Sequence, residues 1–99
     1  MNRNNKKSII KNKILNQSLI DFSVSIDQHS DSGLVGISGK ICSESKNLLV
    51  LEITADKLIS VAKSTGIFLF NIDDLEISIN GDLLVGNQKS RAKKKYRNW

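Results

Sequence analysis

The residues best suited to catalysis, His29, Cys42 and the pair Asp73-Asp74, are spaced so that none of them builds a reactive centre. His29 is the one histidine of the chain and stands in a polar stretch, so neither a histidine-activated nucleophile nor a multi-histidine metal centre can be assembled. It reads as a plain surface histidine. Cys42 is the one cysteine, which excludes an internal disulfide and a thiolate cluster; its strand-like surroundings read as a small buried thiol. Asp73-Asp74 is the nearest approach to the carboxylate pair of a metal-dependent nuclease. Adjacent side chains on a turn diverge, however, and no third carboxylate has a reason to converge on them. Phosphate-cradling GxGxxG and GxxxxGK[ST] segments are absent from the sequence.

What remains as chemistry is charge. All ten Asp and Glu lie between Asp21 and Asp82, whereas eleven of the fifteen Lys and Arg lie outside that interval. The amino-terminal segment carries Arg3, Lys6, Lys7, Lys11 and Lys13, and the carboxy-terminal segment carries Lys89, Arg91, Lys93, Lys94, Lys95 and Arg97. Only Lys40, Lys46, Lys57 and Lys63 sit among the carboxylates, so a formal net charge of +5 conceals −6 in the middle and +11 at the ends. Lys-rich termini also serve merely to solubilise. Clustered cations nevertheless bind phosphate backbones strongly, because each neutralised phosphate releases condensed counterions. Nucleic acid is the first partner this pattern suggests.

Ninety-nine residues at 39% apolar content make one small domain with a real core. No apolar run approaches a membrane span, and the basic amino terminus is not followed by the apolar stretch of a secretory signal. A cytoplasmic, reducing location is expected. Residues 6–19 predict a helix with two apolar pairs, Ile10 with Ile14 and Leu15 with Leu19, falling on different faces. A helix with two such stripes would touch two things at once. Period-two alternation then begins at Ile20, Phe22, Val24 and Ile26 and resumes at Val35, Ile37, Gly39 and Ile41. Strands are expected at 48–53, 57–63, 67–72 and 75–79, with a loop at 43–47 and turns at Ala55-Asp56, Ser64-Thr65-Gly66 and Asp73-Asp74. Asn80-Gly81 suggests a tight hairpin turn leading to a brief pairing of residues 83–85. Five to six short strands within some 65 residues favour a small closed, strongly bent antiparallel barrel, since open edges invite aggregation. The expected organisation is a basic tail and helix over 1–19, a barrel over 20–86 and a basic helix or tail over 87–99, the last with Asn87 as cap.

Four segments sharpen this reading: Gly33-Leu34-Val35-Gly36-Ile37-Ser38-Gly39, Ser45-Lys46-Asn47-Leu48-Leu49-Val50, Gly66-Ile67-Phe68-Leu69-Phe70 and Gly81-Asp82-Leu83-Leu84-Val85-Gly86. In this order and spacing the chain resembles archaeal ribonuclease P protein component 1, a small Sm-like barrel with helical ends, from about Ile14 to Arg91. It departs from the family at Ser32, Ala62 and Gln88, where prolines are usual, and at Lys89 and Ser90, where an acidic pair is usual; Arg91 matches. Losing a proline frees the unfolded chain by up to about 1 kcal/mol per site, so the departures bear on stability.

The resemblance implies a non-catalytic subunit of the ribonucleoprotein endonuclease that removes the 5′ leader of precursor tRNA. The polypeptide would bind no cofactor, and Mg²⁺ would belong to the catalytic RNA. Its implied partners are the ribonuclease P RNA, precursor tRNA within the complex, a zinc-ribbon protein subunit bound as a heterodimer, and further ribonuclease P proteins. The candidate RNA-binding residues are Lys6, Lys7, Lys11, Lys13, Lys46, Arg91, Lys93, Lys94, Lys95 and Arg97, with Tyr96 and Trp99 able to stack on unpaired bases. The candidate partner-protein residues are Ile10, Ile14, Leu15 and Leu19. Two competing readings remain: a different small-barrel protein that coats DNA or sits in the ribosome, and a nuclease acting by itself.

Overall fold

A computed structural model describes residues 3–86. The order is α1 (Arg3–Leu15), β1 (Ser23–His29), a 3₁₀ turn (Ser32–Leu34), β2 (Ser38–Glu44), β3 (Leu48–Thr54), β4 (Lys57–Ala62), β5 (Gly66–Ile72), β6 (Leu75–Asn80) and a second 3₁₀ turn (Gly81–Leu84). The expected carboxy-terminal helix lies outside the described residues. All strand pairings are antiparallel, in the order β4-β3-β2-β1-β5-β6.

Cross-strand partners share a face, and this register builds the core row by row. Val24 pairs Phe70, which pairs Ile77; near Ile26, Phe68 pairs Ile79; and Ile41 pairs Leu51, which pairs Ile59. Fourteen buried apolar side chains form a single cluster, to which the helix and its exit contribute Ile14, Leu15 and Leu19 and the second 3₁₀ turn contributes Leu84. Phe22 completes it edge-on against Phe70, with ring centroids 5.6 Å apart. Irregular registers in the β1–β5, β2–β3 and β3–β4 ladders bend the strands, so the sheet curls around this cluster.

The antiparallel, six-stranded reading stands, but closure does not: β4 and β6 end the sheet as edges that do not pair with each other. Short backbone links between loops do the joining instead. The second 3₁₀ turn presses on the segment after β4 so tightly that a Cβ at Gly81 would lie 1.6 Å from the Lys63 carbonyl oxygen. Gly86 N–H donates to Lys46 O (2.7 Å), tying the end of the second 3₁₀ turn to the β2–β3 loop, while the Lys63 N–H bond to Asn47 O (2.9 Å) extends the β3–β4 ladder.

Other local expectations are corrected. The helix stops at Leu15, where Asn16 turns its side-chain amide onto the Asn12 carbonyl (2.9 Å). Regular strand structure starts at Ser23 because Asp21 adopts a left-handed φ of 80°, leaving Ile20 exposed. Val35 is likewise exposed, since residues 32–34 turn instead of extending. Asn80-Gly81 forms no hairpin: Asn80 keeps φ at −65° and its side chain caps the 3₁₀ turn by accepting from Asp82 N–H. Cys42 is exposed instead of buried.

Candidate nucleic-acid interface

Lys7 and Lys13 stand exposed on α1, and Lys46 is exposed in the loop between β2 and β3. Lys11 is half-buried, and burial lowers its ammonium pKa below the usual 10.5. At 100° per residue its direction falls between those of Ile14 and Leu15, both of which enter the core. Lys6 belongs to α1 but its side chain is outside the described residues, as are Arg91, Lys93, Lys94, Lys95 and Arg97 entirely.

The amino-terminal helix and the end of the described chain meet at a buried ion pair that the sequence reading missed. Lys63 is fully buried, and its three ammonium hydrogens reach Glu44 Oε2 (2.9 Å), Ser45 O (2.7 Å) and Gly86 O (3.0 Å). The other Glu44 oxygen accepts from Leu19 N–H at 3.3 Å. Two side chains therefore connect the exit of the basic helix, the Lys46 loop and the point where the chain continues into its carboxy-terminal cations. A buried ammonium is tolerated only with such complete pairing.

Each partner is placed by strand geometry. Ile59 and Val61 point inward, and Lys63 follows them at the same two-residue spacing. Glu44 owes its position to the irregular register between Ile41 and Ser43, which sets it opposite the buried Leu49. The Lys63 alternation was visible in the sequence, whereas nothing in it announced the irregularity. The other nine carboxylates are exposed, and Asp21 meets Lys40 only in a surface pair at 3.6 Å. Such pairs contribute little.

The four residues given to a partner protein are placed otherwise. Ile14, Leu15 and Leu19 are at most 1% exposed within the chain's own core, and Ile10 packs half-buried against it. Both stripes are internal, because the chain turns after Leu15 and carries Leu19 back under the sheet. Ile9, 54% exposed, is the apolar residue the helix shows to solvent.

His29 is also more than a surface residue. Its Nδ1 accepts from Asp31 N–H (3.0 Å), which leaves Nε2 as the proton-bearing nitrogen facing the Ala62 carbonyl (3.0 Å). It ties the end of β1 to the end of β4. Among the described residues, no group of three or more His, Cys, Asp and Glu is arranged to hold a metal ion, and no helix is long and apolar enough to cross a membrane.

Known proteins share the sequence pattern, and a solved structure shares the fold. Residues 12–94 match the family model described as ribonuclease P/MRP, subunit p29. Ribonuclease P protein component 1 of Methanocaldococcus jannaschii is 32% identical over 89 residues, covering 90% of this chain and 94% of the relative. The protein of the same name from Pyrococcus abyssi is 37% identical over 92 residues, covering 92% and 71%. Among solved structures, Mth11, described as a homologue of the human RNase P protein Rpp29, superposes with a TM-score of 0.56 at 30% identity, covering 76% of this chain and 97% of that one. The curled six-stranded sheet, the basic helix beside it and these matches together make the chain a member of the ribonuclease P/MRP subunit p29 family.

Proposed function

We propose that this protein is an RNA-binding subunit of ribonuclease P, bracing the catalytic RNA during 5′-leader removal from precursor tRNA and breaking no bond itself. Family membership over residues 12–94 is the observation that carries the reading. A mechanism follows from the charges: exposed Lys7 and Lys13 on α1 and Lys46, together with the Lys and Arg residues that follow residue 86 in the sequence, neutralise RNA phosphates. Meeting a phosphate also compensates the burial that penalises charged Lys11. Mg²⁺ belongs to the RNA in this scheme, the location is the cytoplasm, and the partner proteins include a zinc-ribbon subunit. The curled sheet acts as an Sm-like barrel whose last gap is filled by loop backbone.

Precursor-tRNA cleavage reconstituted from ribonuclease P RNA with and without this chain tests the proposal. The chain is expected to raise cleavage at physiological salt and to give none with Mg²⁺ alone. Substituting both Lys7 and Lys13 by glutamine is expected to reduce the slope of log affinity against log salt by about 0.7–0.9 for each phosphate no longer neutralised. Cleavage by the protein without RNA, or equal binding to unrelated DNA, would reject it.

A further inference from the structure

We infer that Glu44 and Lys63 are positioning residues for RNA recognition: they touch no RNA, yet they hold Leu19 and Gly86, the anchor points nearest in sequence to the two cationic segments. The inference rests on the RNA-binding reading above and adds to it a specific internal device.

Lys63 lends one hydrogen each to the Glu44 carboxylate, the Ser45 carbonyl and the Gly86 carbonyl, all within 3.0 Å. Glu44 passes the connection to Leu19 N–H, the first core residue after α1. Gly86 is held from its other side by donation to Lys46 O. Gly86 is also in a left-handed conformation, φ 100°, so the chain is bent at the point where it continues toward Lys89 and Arg91. Lys63 is fully buried and the Glu44 side chain only 8% exposed, so neither can reach a phosphate. An apolar core would fill this space without two desolvated charges, and replacing such a pair by apolar residues is often neutral or stabilising. What an apolar pair cannot do is grip three backbone groups from separate segments. Cations displayed on segments whose roots are fixed lose less freedom on binding than cations on loose ones, so a fixed root makes each ion pair with a phosphate more effective.

The variant Glu44→Met/Lys63→Met removes the grip while keeping the volume apolar. It is crossed with Lys93→Gln/Lys94→Gln/Lys95→Gln in the full chain, and affinity for the ribonuclease P RNA is measured against KCl concentration. In the parent, the tail substitutions are expected to lower the salt slope by about 2, at roughly 0.7 per phosphate no longer neutralised. In the Met/Met background the same substitutions should lower it by less than half as much, with an unchanged circular-dichroism spectrum. Should Met/Met fail to fold, Glu44→Gln, which keeps the side-chain size, is read in the same cycle and a reduced slope change is again expected. Equal slope changes in the two backgrounds would overturn the inference and leave the RNA-binding reading intact. A parent that shows no salt-dependent RNA binding would overturn both.

Discussion

Replacing Lys63 alone by methionine strands Glu44, whose side chain is 8% exposed, without the ammonium 2.9 Å away, and takes a hydrogen bond from each of Ser45 O and Gly86 O. Breaking a buried pair on one side typically costs about 3–5 kcal/mol, because the remaining charge stays desolvated. For a chain of this length total stability is about 5–15 kcal/mol, so a fifth or more of it is at stake. At about 4–8 °C per kcal/mol, the melting temperature should fall by at least about 12 °C. Thermal and urea denaturation followed by circular dichroism give the measurement. Glu44→Met alone should destabilise similarly, whereas the two substitutions together should recover most of the loss, since no unpaired charge remains. The coupling across this cycle is the quantity of interest. A Lys63→Met protein melting within about 3 °C of the parent, less than the shift for 1 kcal/mol, would refute the reasoning.

Gly81→Ala should abolish stable folding, because its Cβ would strike the Lys63 carbonyl, which is backbone and cannot move aside; Gly36→Ala, with nothing within 4 Å but a φ of +89°, should cost only about 1–2 kcal/mol. Soluble yield and melting temperature distinguish the two. Leu15→Ala and Leu19→Ala should each destabilise by about 2–5 kcal/mol in the isolated chain, in keeping with burial in its own core, and unchanged urea midpoints would return these residues to a partner surface. Burial lowers the Lys11 pKa from 10.5, so the unfolded chain holds that proton to higher pH than the folded one. Its contribution to stability therefore rises as pH passes from the lowered value to 10.5, and Lys11→Met should remove that rise in denaturation midpoints measured across pH 8–11.

Much of the sheet was legible because alternation is a strong signal wherever one face is buried. Val24 and Ile26, Phe68 and Phe70, and Ile77 and Ile79 all point inward as their spacing implies, whereas the continuous apolar run 48–53 shows its buried face, Leu49 and Leu51, only in the structure. What escaped the pattern was decided by single backbone conformations: the left-handed Asp21 that delays β1, and the extended Asn80 that converts an anticipated hairpin into a capped 3₁₀ turn. Closure departs from the expectation because the hazard of an open edge requires only that the gap be covered, and here the second 3₁₀ turn packs on the segment after β4 where a strand pairing is expected. The cationic ends were plain in the order of charges. The buried pair that holds Leu19 and Gly86 was not, since Glu44 faces inward only through a strand irregularity and Leu19 reaches it only after the helix has ended.

Nine exposed carboxylates belong to the sheet and its turns, whereas α1 carries cations and no acid, so the two parts of the described protein differ in the sign of their charge. Near a polyanion such a body experiences torque as well as attraction: the part rich in carboxylates is pushed away while the basic helix is drawn in. Collisions thus become aligned before the two surfaces touch, and an RNA too structured to offer many footholds is approached the right way round.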